Sequence, residues 1–366
     1  MSETAPYQDK KRYLWILSTL IPLLGLLGIG LYEWTGQAFM VLMPLVIVYV
    51  VIPVLDMVFS EDQSNPPESA VPELEKDPYY AWLAYLMLPL YFAVLTYIIY
   101  YIDSRELSWW MIASIVWTLG VVTGLTINQG HELGHKKNAV DQNIAKLALA
   151  SSFYGHFTIE HNAGHHAQVA TPEDTASARY GESIYRFALR EVTGGIKRAW
   201  RLEKKRLQRK GLSVWSLDNQ ILHSYAMSIV IFVSLTAVFG WTAVWVLLLN
   251  VPASWWQLTS ANYVEHYGLL RLKDDTGKYE RCQPKHSWNS NHLVSNLVLF
   301  HLQRHSDHHA NPARHYQSLR HFDEAPQLPS GYMGMFVLAY IPPLWRKVMD
   351  KRLLNSVNHD MRLVNA

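Results

Sequence analysis

Nine histidines in four clusters carry the chemistry this sequence can do: His131 and His135 in HELGH, His161, His165 and His166 in EHNAGHH, His266 in NYVEHYG, and His305, His308 and His309 in RHSDHH. Residues four apart stack on one face of an α-helix, so His131/His135, His161/His165 and His305/His309 are each expected to aim two ring nitrogens at a common point. Neutral imidazole at that spacing is a metal-binding arrangement. A first-row metal takes roughly four to six ligands, so nine exceed the needs of one ion and point to two. HELGH also matches H-E-x-x-H, the zinc protease signature with Glu132 as general base, but three ligands on one zinc leave six clustered histidines unused.

The remaining histidines lack paired spacing and read as structural, with His292 in the polar string Ser287–His292 the best candidate to support a ligand. Four carboxylates adjoin the proposed ligands: Glu132, Glu160, Glu265 and Asp307. Ligating imidazoles usually donate their second N–H to a carboxylate or carbonyl, and that supporting role is expected of these four, with direct bridging of the metals as the alternative.

The elements that must hold the histidines are membrane helices. Charged residues are only 17% of 366, and mean hydropathy is near zero because very apolar runs alternate with polar ones. The uncharged runs include Asn219–Val264, long enough for two crossings with a break near Gly240. The expected fold is all-α, with six transmembrane helices at approximately 13–32, 35–55, 80–102, 107–129, 220–240 and 242–262. Residues 1–366 then form a single membrane-embedded domain with a histidine-rich cap at about 131–215 and 266–366. Residues 1–12 read as a short tail, and the first span lacks a small-residue cleavage site, so no removable signal is expected.

Six crossings place both termini on one face. The opposite face receives the links near Glu33, Asp103–Glu106 and Gly240, which hold one of the 32 basic residues, Arg105. By the positive-inside rule the termini, the cap and all nine histidines are cytoplasmic. Leu293–Leu302 has the length to fold as a helix under the bundle, and Ala325–Trp345, interrupted by prolines, reads as interfacial.

The segments HELGHKKN (131–138), EHNAGHHAQVATPEDTASARYGESIYRF (160–187), NYVEHYGLLR (262–271) and LVLFHLQRHSDHHANP (297–312) resemble the membrane-bound alkane 1-monooxygenases, non-haem diiron hydroxylases related to membrane fatty acid desaturases. The resemblance covers most of the chain, and NYVEHYG separates hydroxylases from desaturases. It implies two iron ions on the nine histidines, O2 as co-substrate, terminal hydroxylation of medium-chain n-alkanes to primary alcohols, and a place in the bacterial inner membrane. The chemistry agrees independently: an alkane offers acid–base or nucleophilic groups nothing to act on, so an oxidising metal is required. Chain-length selectivity should come from an apolar tunnel, for which Trp117 and Phe92 are candidate stops. A metal transporter would place ligands near the bilayer midplane, whereas these sit at helix ends.

Each turnover needs two external electrons, and a single cysteine, Cys282, leaves no rubredoxin or iron–sulfur site within the chain. The resemblance implies a rubredoxin, separate or fused, served by an NAD(P)H-dependent reductase; no nucleic-acid partner is expected. Between Arg179 and Lys210 lie eleven basic and three acidic residues. Arg198, Arg201, Lys204 and Lys205 are the expected docking face for an acidic carrier, against the alternative of a face made basic by anionic lipid.

Overall fold

The computed structural model describes residues 7–366, so the first half of the expected tail lies outside the described residues. The described chain is helical, with isolated bridges and no strand. Five helices are long and apolar enough to cross a membrane: α1 (Arg12–Thr35), α2 (Ala38–Phe59), α3 (Pro78–Ser104), α4 (Trp109–Gly134) and, later in the chain, Gln220–His266. Between α4 and that last helix lie α5 (Ala139–Ala150), the short α6 (Phe157–Glu160) and α7 (Ile184–Arg209); Gln220–His266 is therefore α8. After it come α9 (Leu293–Val298), α10 (His305–Ala310), α11 (Tyr332–Ala339) and α12 (Pro342–Ser356).

Glycine does specific work at two turns. Gly36 closes α1 in the left-handed region, its N–H donating to Tyr32 C=O at 2.8 Å. Gly240, at φ 57° and ψ −138°, leaves helical geometry in the middle of α8. A straight helix of 47 residues would run about 70 Å, more than twice the hydrocarbon thickness of a bilayer. The end of the bundle near these turns is tied by Arg105–Glu33 at 3.5 Å, Tyr101 OH to Glu33 at 2.7 Å and Thr242 Oγ1 to Asp103 at 2.7 Å. Trp34, Trp109 and Trp241 are exposed there, as aromatic side chains are at a membrane–water boundary.

α4 is the central post, the most buried of the five helices. Its Gly120 and Gly124 let α8 approach until Ala253 and Gln257 occupy the space a side chain would need. Polar groups bridge the helices where they touch: Thr123 Oγ1 reaches Asn250 Oδ1 at 3.0 Å, and Tyr49 OH donates to Gln257 Oε1 at 2.9 Å. A methyl at Gly120 collides with Ala253 Cβ. Gly120→Ala is therefore expected to destabilise the protein by about 1–3 kcal/mol, seen as a lower melting temperature in detergent; an unchanged midpoint would show that α4 and α8 can separate freely.

Two expected segments differ in structure. The apolar run Leu293–Leu302 does not form one helix: α9 stops at Val298, and Phe300 (φ 50°) and His301 (φ 57°) make a left-handed turn. The turn is held by His301 Nδ1 on Tyr316 C=O at 2.9 Å, and Leu299 and Leu302 are buried on either side of it. Ala325–Trp345 is not a free interfacial stretch. It contains α11, whose Tyr332, Met333, Met335, Phe336 and Ala339 are all buried, so their apolar area is satisfied by protein.

Candidate metal centre

Four elements deliver the nine histidines to one locus. α4 carries His131 and ends with His135 at its C-cap; α8 ends with His266; α10 carries His305, His308 and His309. The fourth element is a π turn, His161–His165, in which His166 N–H bonds to His161 C=O five residues back. Such single wide turns cluster at functional sites.

The ring nitrogens fall into two groups. His131, His135, His161, His166 and His308 form one, and His165, His266, His305 and His309 the other, with the atoms of each group within 4.8 Å of one another. Two of the three expected i, i+4 pairs stay together. The third, His161/His165, is split, because the i+5 bond of the π turn brings His166 over His161 and swings His165 toward the second group. The groups abut: the rings of His166 and His309 stack at 4.4 Å, one from each.

The geometry suits metal ions. Nε2 atoms face one another at 2.9 Å (His131–His308), 3.0 Å (His161–His166), 3.2 Å (His166–His308), 2.9 Å (His305–His309) and 3.1 Å (His266–His305). Two nitrogens bound at about 2.1 Å to one ion at a right angle stand about 3.0 Å apart. His135 Nε2 and His165 Nε2 are buried with no protein partner, an arrangement that costs free energy unless something else binds them. Burial, reinforced by neighbouring imidazoles, holds His161, His166, His305, His308 and His309 well below the ordinary histidine pKa. They are neutral and keep the lone pair a metal requires. All donors are nitrogen, and neither group includes a carboxylate.

One supporting residue was not evident from sequence. Asp174 accepts from His165 Nδ1 at 2.8 Å, from Ser177 Oγ at 2.6 Å and from Arg198 Nη2 at 2.8 Å. Burial would raise its pKa, but His165, Arg198 and Ser177 outweigh that and keep it below the usual carboxylate range. The bond from Nδ1 fixes the His165 tautomer and leaves Nε2 free to point into the second group. Asp174 lies within the quoted 160–187 segment, yet nine residues past His165 no periodicity marks it.

Residues 107–339 match the family model described as fatty acid desaturase. Over 363 residues the chain is 51% identical to the alkane 1-monooxygenase of Ectopseudomonas oleovorans, covering 99% of this chain and 90% of that protein. It is 41% identical to the alkane 1-monooxygenase of Acinetobacter baylyi, covering 98% and 88%. The chain belongs to the alkane 1-monooxygenase family. Similarity extends to the xylene/toluene monooxygenase hydroxylase component of Pseudomonas putida, at 29% identity over 365 residues, 95% of this chain and 90% of that one.

Within this monooxygenase the four carboxylates next to the histidines take different partners. Glu265 Oε2 lies 3.2 Å from His305 Nε2. Glu132 instead accepts from Lys136 Nζ at 2.9 Å and Tyr316 N–H at 3.1 Å. Glu160 pairs with Arg198, and Asp307 accepts from Asn311 at 2.7 Å, Arg314 at 3.2 Å and the Arg320 N–H at 2.9 Å. These three brace the segments that carry the ligands. His292 bonds to Ser290 Oγ at 2.9 Å, and His156, His286 and His301 also find protein partners. Arg198 is buried between Glu160, Asp174 and Gln168, so its guanidinium is not on a docking face; Arg201, Lys204 and Lys205 are exposed.

A small apolar cavity of about 30 Å³ lies between α4, α8, α11 and the 299–302 turn, lined by Val121, Leu125, Leu258, Leu299, Leu302 and Phe336 among others. Its wall includes Asn128, one turn before His131, and Leu302, three residues before His305. Trp117 and Phe92 do not line it: Trp117 is partly exposed and Phe92 faces an open groove.

Proposed function

We propose that this chain hydroxylates the terminal methyl of medium-chain n-alkanes, with O2 and two electrons, at two irons held by the nine histidines. The reading rests on two abutting all-nitrogen groups, with an apolar cavity whose wall includes residues three before His131 and His305, in a chain 51% identical to an alkane 1-monooxygenase. The net reaction is RH + O2 + 2 e⁻ + 2 H⁺ → ROH + H2O. The five-histidine and four-histidine groups hold one iron each, and bound iron supplies the one-electron chemistry that activates O2.

The protein's own part is positional. The cavity offers an alkane only shape, so it selects by fit and excludes water. Asn128 and Leu302 in its wall, each three residues before a ligand, put the cavity on the segments that carry His131 and His305. Asp174, through His165 Nδ1, keeps that ligating ring from rotating, and the ion pairs of Glu132, Glu160 and Asp307 brace the segments that carry the other ligands.

In this reading α8 crosses the bilayer twice around Gly240, giving six spans, and the cap and both termini are cytoplasmic in the bacterial inner membrane. The concentration of basic residues at one end supports it. Electrons arrive on a rubredoxin-type carrier reduced by an NAD(P)H-dependent reductase. Replacing exposed Arg201, Lys204 and Lys205 together by Glu is expected to slow carrier-dependent reduction, most at low salt. An unaltered salt dependence would remove this face from the account.

The reading is tested by supplying octane, rubredoxin and its reductase to the reconstituted protein. 1-Octanol formation supports it; desaturated or mid-chain products, or none, would replace it.

A further inference from the structure

The proposed reaction takes up two protons per turnover, and the hydrocarbon cavity cannot deliver them because its lining is almost wholly apolar. A polar feature lies on the other side of α8. Glu191, on α7, is buried and accepts from Thr259 Oγ1 at 2.7 Å and Asn262 Nδ2 at 3.1 Å. Among the described residues it forms no ion pair with a Lys, Arg or His, whereas the buried Glu160, Asp174 and Glu203 each hold an arginine.

Glu191 lines a small cavity with Tyr154, His156, Phe157, Glu160 and Thr175. Thr175 Oγ1 is buried there without a hydrogen-bond partner. His156 forms part of this cavity and also of an outer groove with Lys197, Trp200, Ile221 and Tyr225, its Nδ1 lying 2.9 Å from Tyr225 OH. The inner wall is Glu160 and Phe157: Glu160 adjoins His161, and the Phe157 ring stacks on it at 4.7 Å. A file of protonatable and hydroxyl groups thus leads from the outer groove to the back of the metal centre.

We infer that Glu191, reached from the outer groove past His156 and Thr175, is the group through which protons enter toward the metal centre. The inference rests on the proposed monooxygenase reaction, since only that reaction consumes protons at this locus. Glu191 has the protonation behaviour the role needs. Burial, then neighbouring Glu160, raise its pKa to about 7, while hydrogen bonds from Thr259 and Asn262 and the His165 ring restrain the rise. The other groups facing the cavity are Tyr154, His156 and Thr175. Near neutrality Glu191 both holds and releases a proton, the condition for efficient transfer. It touches no substrate, so its role is exerted through the cavity.

The test compares the wild type with Glu191→Gln, Glu191→Asp and Thr175→Val, each reconstituted in lipid. Infrared spectra across the neutral pH range should show a carboxylic acid band that titrates in the wild type and in Glu191→Asp and is lost in Glu191→Gln, whether or not metal is bound. With metal content unchanged, Glu191→Gln should turn over at least about 100-fold more slowly, with a larger solvent isotope effect and more O2 reduced per alcohol formed. Glu191→Asp should recover much of the loss, and Thr175→Val should show a weaker version of it without disturbing the bonds to α8. If Glu191→Gln does not fold, Glu191→Asp and Thr175→Val decide. A missing titration, or wild-type isotope effects and coupling in the variants, overturns the inference. A wild type that forms no alcohol overturns the reaction it rests on instead.

Discussion

His308→Ala and His309→Ala, although adjacent, are expected to lose different metals. His308 faces His131 and His166 in the five-histidine group, and His309 faces His305 in the four-histidine group. Each variant should bind one iron fewer than the wild type while retaining the other. The two residual irons should differ spectroscopically, because one keeps a set of four rings and the other a set of five. Activity should fall by far more than the roughly 100-fold that loss of an outer hydrogen-bond partner costs, because the reaction draws on both ions. Metal analysis with iron spectroscopy on the purified variants checks this. Identical residual spectra would show that the division into five and four is wrong.

Asp174→Asn should have the next largest effect. The carboxylate accepts from His165, Ser177 and Arg198 at once, fully buried. An amide cannot accept from all three through one oxygen, and its NH2 would face a donor. Breaking a buried pair of this kind costs about 3–5 kcal/mol, and loss of the support behind a ligating histidine costs about 10- to 100-fold in metal affinity or activity. The measurements are the melting temperature and the rate of metal loss to a chelator. If metal release is unchanged while stability falls, Asp174 only braces the fold and does not set the His165 ring.

These two expectations mark where sequence reading was strong and where it stopped. The nine histidines were legible because a metal needs many copies of one donor, and spacings of four on a helix are visible in one dimension. The break at Gly240 and the gathering of Glu33, Asp103 and Arg105 at one end were legible from hydropathy and the scarcity of charge. The division between the two groups was not. It depends on one extra residue in the His161–His165 turn, and HNAGH carries no proline or other mark that distinguishes a π turn from an α turn. Arg198 failed for a different reason. On α7 it sits among basic residues, and only the approach of Glu160 and Asp174 from other segments makes it a buried clamp rather than a surface charge. Asp174 likewise acquires its role from a contact that neither period nor composition encodes. The cavity-lining residues carry no sequence mark, because residues flanking the Phe300–His301 turn and the buried α11 supply part of the wall, not aromatic bulk on the spanning helices alone.

The nine histidines form two groups, which we propose are two separate metal sites rather than one site with spare ligands. Iron quantification on the purified, unmutated protein tests it most directly. Two such sites hold two irons per chain, bound without sulfur ligands. A single iron, or stoichiometric zinc with no oxygen uptake in the presence of octane and reduced carrier, would contradict it.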